Sequence, residues 1–322
     1  MAHHIVTSED GSQLAILAET AERAKEYGRS SKSAATRLAY ASDWRNFVAF
    51  AIRNELPYLP AAPQTVALYL TELADAGKSV ATIRRRIAAI ADQHDEANVE
   101  NPTSSKPVRA ILSGISREKG VAPTRKAALT IDLLKDALLA MGDGKLPALR
   151  DRAIFLVGFH AALRRSEIAA LDFDDLRFER EGVVLTVRKS KTDQEGAGYE
   201  IGLPLHPVEA ICPVRALRAW LEASSIAEGP LFRSFSMNFA LQENRLDGRD
   251  VARLIQRVAK RAGIESELAG HSLRAGFVTS AAKAGVALES IARVSRHKST
   301  PILLSYIRRA RIFDDAPQLA LK

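Results

Sequence analysis

The chain has 322 residues, 47% hydrophobic and 26% charged, which is a globular composition long enough for two domains and excludes a disordered or fibrous chain. A formal net charge of +8 points to a polyanionic partner, nucleic acid first. A single cysteine, Cys212, excludes an internal disulfide and a cysteine-based zinc site; no apolar run reaches the roughly 18 residues of a membrane span, and Met1–Asp10 lacks a signal-peptide pattern, so a cytoplasmic protein with no membrane partner is expected.

Gln13–Tyr27, rich in Ala and Glu, reads as a helix, and Gly28–Ser33 is a polar break. Ala34–Arg53 is the next helix, with Leu38, Trp44, Phe47 and Phe50 supplying the apolar spacing. Leu56–Pro63 holds three prolines and reads as a loop. Thr65–Ala76 and Val80–Ala97 follow as helices separated by Gly77, and Val108–Arg117 as a short fifth. Val80–Ala97 carries Arg84, Arg85 and Arg86. Three consecutive arginines span most of a helix circumference, so they cannot all face a core. A solvated face and a DNA-facing face are both open.

Glu118–Ala128 has Gly, Pro and a basic run without apolar periodicity, and residues 119–128 are taken as a linker between a helical bundle at 10–118 and a second domain at 129–322. In that second domain Ile131–Met141 and the strongly apolar Pro147–Phe159 read as helices, with Thr130 as N-cap candidate. Gly182–Arg188 and Glu200–Leu205 read as antiparallel strands, and Pro213–Glu222 and Arg249–Ala262 as helices. Ser272–Ala284 is a helix ended by Gly285, Leu288–Val294 a short one, and Pro301 starts a third that carries Tyr306 in its second turn.

Basic residues concentrate at the end of the chain: Val251–Arg311 holds twelve Lys or Arg against Glu265, Glu267 and Glu289. Within it His271 and Arg274, three apart, share a helix face. Arg296-His297-Lys298-Ser299 follows, and Tyr306 comes nine residues after His297. Taken singly these have commonplace readings: a core tyrosine, half-buried histidines, a solvated basic face. Taken together, two cationic groups beside a phenol suit attack on a phosphodiester, because the cations stabilise phenolate and phosphorane charge alike.

This pattern resembles the second conserved box of the tyrosine recombinase (phage integrase) family. Upstream, Ala162-Leu163-Arg164-Arg165-Ser166-Glu167 resembles its first box, and Lys191 in Lys189-Ser190-Lys191-Thr192-Asp193 matches the family's β-hairpin lysine, with Lys189 an open alternative. The chain departs from the family in two places. Ala162 and Arg296 stand where glycine is common. Alanine disfavours positive φ, so a slightly different backbone is expected at Ala162. The resemblance implies a mainly α fold with a small antiparallel β-sheet in the C-terminal domain. It implies an N-terminal DNA-binding bundle using Arg84, Arg85 and Arg86, and a C-terminal catalytic domain, the two gripping a DNA duplex from opposite sides in the manner of simple Xer- or Cre-type recombinases. Arg164 and Arg274 would fork onto the nonbridging phosphate oxygens, and His297 would donate to them. Lys191 would protonate the leaving 5′-oxygen, and His271 would take the proton of Tyr306 or hold the phosphate. Glu167 would hold the neighbouring cations.

The product would be a 3′-phosphotyrosine, and two exchanges would pass through a Holliday junction within a tetramer. Phe313, Leu319 and Leu321 are too apolar for a free tail, so the last residues are expected to dock, either on their own domain or, as the resemblance implies, on a neighbouring protomer. No cofactor is implied: no G-x-x-x-x-G-K-[ST] loop occurs, and the arginines take the work that a metal pair does elsewhere. A type IB topoisomerase and a non-catalytic DNA-binding protein are the competing readings. The recombination site and any accessory proteins are not legible.

Overall fold

The computed structural model describes residues 17, 19–24, 26–28, 31–120, 126–142, 144–188, 198–297 and 300–310. The chain divides into two compact units, Met1–Thr124 and Arg125–Lys322. Among the described residues no helix is long and apolar enough to cross a membrane.

The first unit is helical. Helices α1 (Ala34–Arg53), α2 (Pro63–Asp75), α3 (Val80–Glu96) and α4 (Lys106–Lys119) enclose Phe47, Val66, Tyr69, Leu70, Ile83, Ile90 and Val108. Ser33 and Ser79 cap α1 and α3 by accepting from the Thr36 and Thr82 N–H groups. Pro63 opens α2 at the first helical position, where its missing N–H costs nothing, so the helix begins two residues before the expected Thr65. His94 on α3 is fully buried. Its Nε2 accepts from the Ala61 N–H at 2.9 Å and its Nδ1–H donates to the Ile90 carbonyl at 2.8 Å, which pins the Pro-rich connection to the bundle.

The second unit packs helices around a small sheet. Helix α5 (Ile131–Ala140) leads to α6 (Leu146–His160), which is buried along most of its length. A short α7 (Arg165–Ala170) follows. Strands β1 (Leu176–Phe178), β2 (Gly182–Val187) and β3 (Tyr199–Pro204) form an antiparallel sheet in the order β1-β2-β3, with Val183 opposite Leu203 and Leu185 opposite Ile201. These four side chains are buried, as period-2 alternation requires of one face. Helix α8 (Pro213–Ser224) buries Trp220, whose indole N–H donates to the Leu231 carbonyl at 2.9 Å. A second antiparallel pair, β4 (Arg233–Phe235) with β5 (Leu241–Arg245), precedes α9 (Gly248–Arg261). Helices α10 (Ser272–Lys283), α11 (Leu288–Ser295) and α12 (Thr300–Ala310) complete the described chain.

Helix α10 lies unusually close to the segment before α5. The Leu129 N–H donates to the Ser272 carbonyl at 3.0 Å, the Ile131 N–H to Ser280 Oγ at 2.9 Å, and a Cβ added at Gly276 would overlap the Leu129 carbonyl oxygen. That oxygen belongs to backbone, which cannot step aside as a flexible side chain does. Gly276→Ala is therefore expected to destabilise the second unit by about 1–3 kcal/mol. Urea unfolding would report it as a lower midpoint at unchanged slope.

Candidate active site

Helix α6 ends in a left-handed turn. Ala162 has φ of 47°, its N–H donates to the Phe159 carbonyl at 2.9 Å, and the Leu163 N–H donates to the Gly158 carbonyl at 2.9 Å. These are the paired bonds of a Schellman ending, with alanine in the position that usually takes glycine. The conformation costs a residue with a Cβ about 1–2 kcal/mol. The altered backbone expected at Ala162 is not what the fold adopts: two hydrogen bonds and full burial hold alanine in the left-handed geometry.

This turn sets out the first box. The Ala162 carbonyl accepts from Arg274 Nη1 at 2.8 Å, and Arg164 arrives as the residue preceding α7. Glu167, in the first turn of α7 and only 2% exposed, accepts from the Arg164 N–H at 2.9 Å and from Arg164 Nη1 at 2.6 Å. It accepts a third bond, from Arg296 Nη2 at 2.6 Å. One buried carboxylate thus faces two guanidiniums.

Arg274 adds a third. It is 1% exposed, and its Nε and Nη2 are buried with no hydrogen-bond partner among the described residues. Burial, followed by the charges of Arg164 and Arg296, lowers its pKa to about 9, so it stays protonated near neutral pH. Unpaired buried donors of this kind are costly, and an arriving anion relieves the cost.

The histidines respond to the same field. Burial first, then the charges of Arg274 and Arg164, hold His271 below its usual value. Burial and the charges of Arg274, His271, Arg164 and Arg296 push His297 down to about 4. Both are neutral at pH 7 in the free protein. The hydrogen-bond chain fixes the His297 tautomer as well. The buried Ser295 hydroxyl donates to the Ile291 carbonyl at 2.6 Å, so the 2.8 Å contact between Ser295 Oγ and His297 Nδ1 has Nδ1–H as donor. The Nε2 lone pair of neutral His297 is then an acceptor, and Nε2 becomes a donor only once the ring gains a proton. Tyr306 is half-buried on α12, packed against Val278, Ala282, Ile291 and Leu303, with its ring centroid 6.1 Å from that of His297.

The fold therefore gathers Arg164, Glu167, His271, Arg274, His297 and Tyr306 from α7, α10, α12 and the turn after α11. Lys191 and its alternative Lys189 lie outside the described residues, as does the docking tail after residue 310. In the first unit Arg84 and Arg85 are exposed. Arg85 Nη2 donates to buried Asp43 at 3.3 Å, and Arg86 turns further inward: its Nη1 donates to the Tyr69 hydroxyl at 2.7 Å and its Nε lies 3.6 Å from the same carboxylate. A buried carboxylate needs a cation, and both Arg85 and Arg86 lie within ion-pair reach of Asp43. Two residues with evident roles in the site were not foreseen. Ser295 had no distinguishing signal. Arg296 reads from sequence as part of a solvated basic face, and its single clue is that it replaces a glycine.

Guanidiniums left short of neutralisation beside a helix-borne phenol are the equipment of enzymes that break and rejoin DNA through a tyrosine. Residues 131–311 match the Phage integrase family and residues 26–101 its N-terminal SAM-like domain, and the chain belongs to that family. It is 37% identical to the integrase/recombinase xerD homolog of Selenomonas ruminantium over 91% of this chain and 87% of the relative. It is 24% identical to the tyrosine recombinase XerC of Thermodesulfovibrio yellowstonii over 83% of each. Its fold is similar to that of a lambda integrase dimer bound to a COC′ core site, with a TM-score of 0.63 at 19% identity over 94% of this chain and 79% of the other. A lambda integrase tetramer bound to a Holliday junction gives 0.63 at 18% identity, over 95% and 80%.

Proposed function

We propose that the chain is a site-specific recombinase in which Tyr306 attacks a DNA phosphodiester to give a 3′-phosphotyrosine, later reversed by a 5′-hydroxyl of a second duplex. What supports this reading is Arg274, whose Nε and Nη2 are buried without a partner among the described residues, beside Arg164, His271, His297 and Tyr306: a cationic recess suited to an anion. The scissile phosphate supplies it. Arg164 and Arg274 fork onto its nonbridging oxygens, where charge grows during attack. The same anion counteracts the positive charges that, after burial, depress the histidines; this favours protonation of His297, whose Nε2–H is then a donor. His271 takes the phenol proton or holds the phosphate, and Glu167 holds its arginines in place.

The domain plan follows the same reading: residues 10–118 as a DNA-binding bundle reaching its duplex with Arg84 and Arg85, 119–128 as linker, 129–322 as catalytic domain. Four protomers on a Holliday junction, linked through their C-terminal tails, complete the proposal. A lambda integrase tetramer bound to a Holliday junction is a precedent for the four-protomer part of this reading.

The test is incubation with supercoiled plasmid carrying two copies of a candidate site, mapped beforehand from covalent protein–DNA adducts on genomic fragments. A denaturation-resistant adduct and recombinant circles are expected. Relaxed topoisomers alone would assign a topoisomerase, and retention without an adduct a binding protein. The leaving-group role of Lys191 has its own check. Lys191→Ala is expected to slow cleavage by about 10²–10⁴-fold, the range of general acid catalysis. A 5′-bridging sulfur, which leaves without a proton, is expected to restore most of that rate. An equal defect on both substrates removes Lys191 from the role.

A further inference from the structure

Arg296 is the one buried cation of the recess that the mechanism above does not use. Its side chain is 8% exposed. Its backbone is left-handed, φ 52° and ψ 41°, where a glycine would be unstrained. Its guanidinium reaches across 129 positions of sequence to Glu167 at 2.6 Å, and Nη1 lies 3.5 Å from the Ala161 and Val294 carbonyls. Its Cζ stands 5.9 Å from the Tyr199 ring on β3, and the Tyr199 hydroxyl donates to the Arg293 carbonyl at 3.1 Å. One side chain thus touches the first box, the sheet and the end of α11, one residue before His297.

We propose that Arg296 is a positioning residue for strand cleavage: its guanidinium locks the turn bearing His297 to Glu167 and leaves Arg164 with positive charge to spare for the phosphate. Two physical consequences follow. A glycine at this position leaves the turn free to swing, whereas an arginine clamped to a buried carboxylate fixes it. A Glu167 paired with Arg164 alone neutralises it; shared between two guanidiniums, it cannot neutralise both. The strained backbone at Arg296 persists because the clamp over-determines it.

The inference rests on the recombinase reading, and the experiment separates the two. The probe is the oligonucleotide duplex recovered by adduct mapping, used at saturating protein in single turnovers. Wild type forming no adduct sinks the recombinase reading. With wild type active, R296M is expected to cleave about 10- to 100-fold more slowly, the cost of a small misplacement of reacting groups, while holding the duplex within about threefold of wild-type affinity. R296K, which keeps charge and reach, is expected to recover much of the rate. The double variant of R296M with E167Q is expected to be no slower than the slower single variant, because both act through one contact.

The pH profile supplies a readout that a purely structural role would leave alone. Among the described residues, His297 faces Ser295 and Arg296 on its own segment, Arg164 of the first box, His271 and Arg274 at the start of α10, and Tyr306 of α12. Removing one positive charge from that set raises the His297 pKa, so the break in the rate profile moves to higher pH in R296M. Should R296M fail to fold, R296G, whose glycine suits the left-handed backbone, reads the same loss. Cleavage by R296M or R296G at the wild-type rate, or a rate loss with additive E167Q and an unmoved pH break, overturns the proposal.

Discussion

Tyr306→Phe is expected to bind its duplex as tightly as the parent chain and to form no covalent adduct. The substitution removes one oxygen. Tyr306 contributes packing through its ring, against Val278, Ala282, Ile291 and Leu303, and phenylalanine keeps that packing. The arginines that attract the phosphate are untouched, so affinity stays. The chemistry has no substitute: the other tyrosine near the recess, Tyr199, spends its hydroxyl on the Arg293 carbonyl. Loss of an enzymatic nucleophile costs on the order of 10⁶ in rate, which puts cleavage below detection on any gel. An adduct persisting in the Phe variant would move the nucleophile elsewhere in the chain, and peptide mapping of that adduct would say where.

Arg274→Met separates activity from stability. Arg274 is buried, carries two polar atoms without partners among the described residues, and sits in the field of Arg164 and Arg296. Each unpaired donor costs about 1–3 kcal/mol, against a similar cost for the Ala162 carbonyl that loses its bond when the guanidinium goes. Methionine fills comparable space with an apolar stem. The variant is expected to melt no lower than the parent, because it is relieved of a buried charge that the free protein does not neutralise. Cleavage is expected to fall by about 10²–10³-fold or more, the cost of one donor aimed at developing charge. A guanidinium offers a planar fork that an ammonium lacks, so Arg274→Lys recovers little. A Met variant that cleaves within a few-fold of the parent, or that melts far below it with activity per folded molecule intact, would make Arg274 a structural residue.

Much of the site is legible in the chain because its signals are local. His271 and Arg274 share a helix face by spacing alone, and Tyr306 follows at a distance that a turn and two helical turns span. The helix and strand limits of α1, α3, α6, β2 and β3 come out within a residue or two, since apolar periodicity, prolines and glycines act over a few neighbours. Strands β4 and β5 do not. Arg233–Phe235 and Leu241–Arg245 are short and largely polar, and only pairing with each other makes them strands.

The sequence by itself determined that this is a basic, mainly helical chain in two parts whose C-terminal half carries two arginines, two histidines and a tyrosine in recombinase order. Only the tertiary structure decided which cations keep their charge for a substrate. Arg86 is drawn inward by Asp43 and Tyr69, Arg164 and Arg296 divide one carboxylate, and Arg274 is sealed against the Ala162 carbonyl with two donors unused among the described residues. The tertiary structure also decided that Ala162 and Arg296 take a left-handed backbone of the kind that favours glycine. The physical reason is the same in each case. An arginine's charge and a residue's tolerable φ are set by what burial brings beside them, and some of those neighbours, such as Ala162 for Arg274 and Glu167 for Arg296, lie more than a hundred residues away.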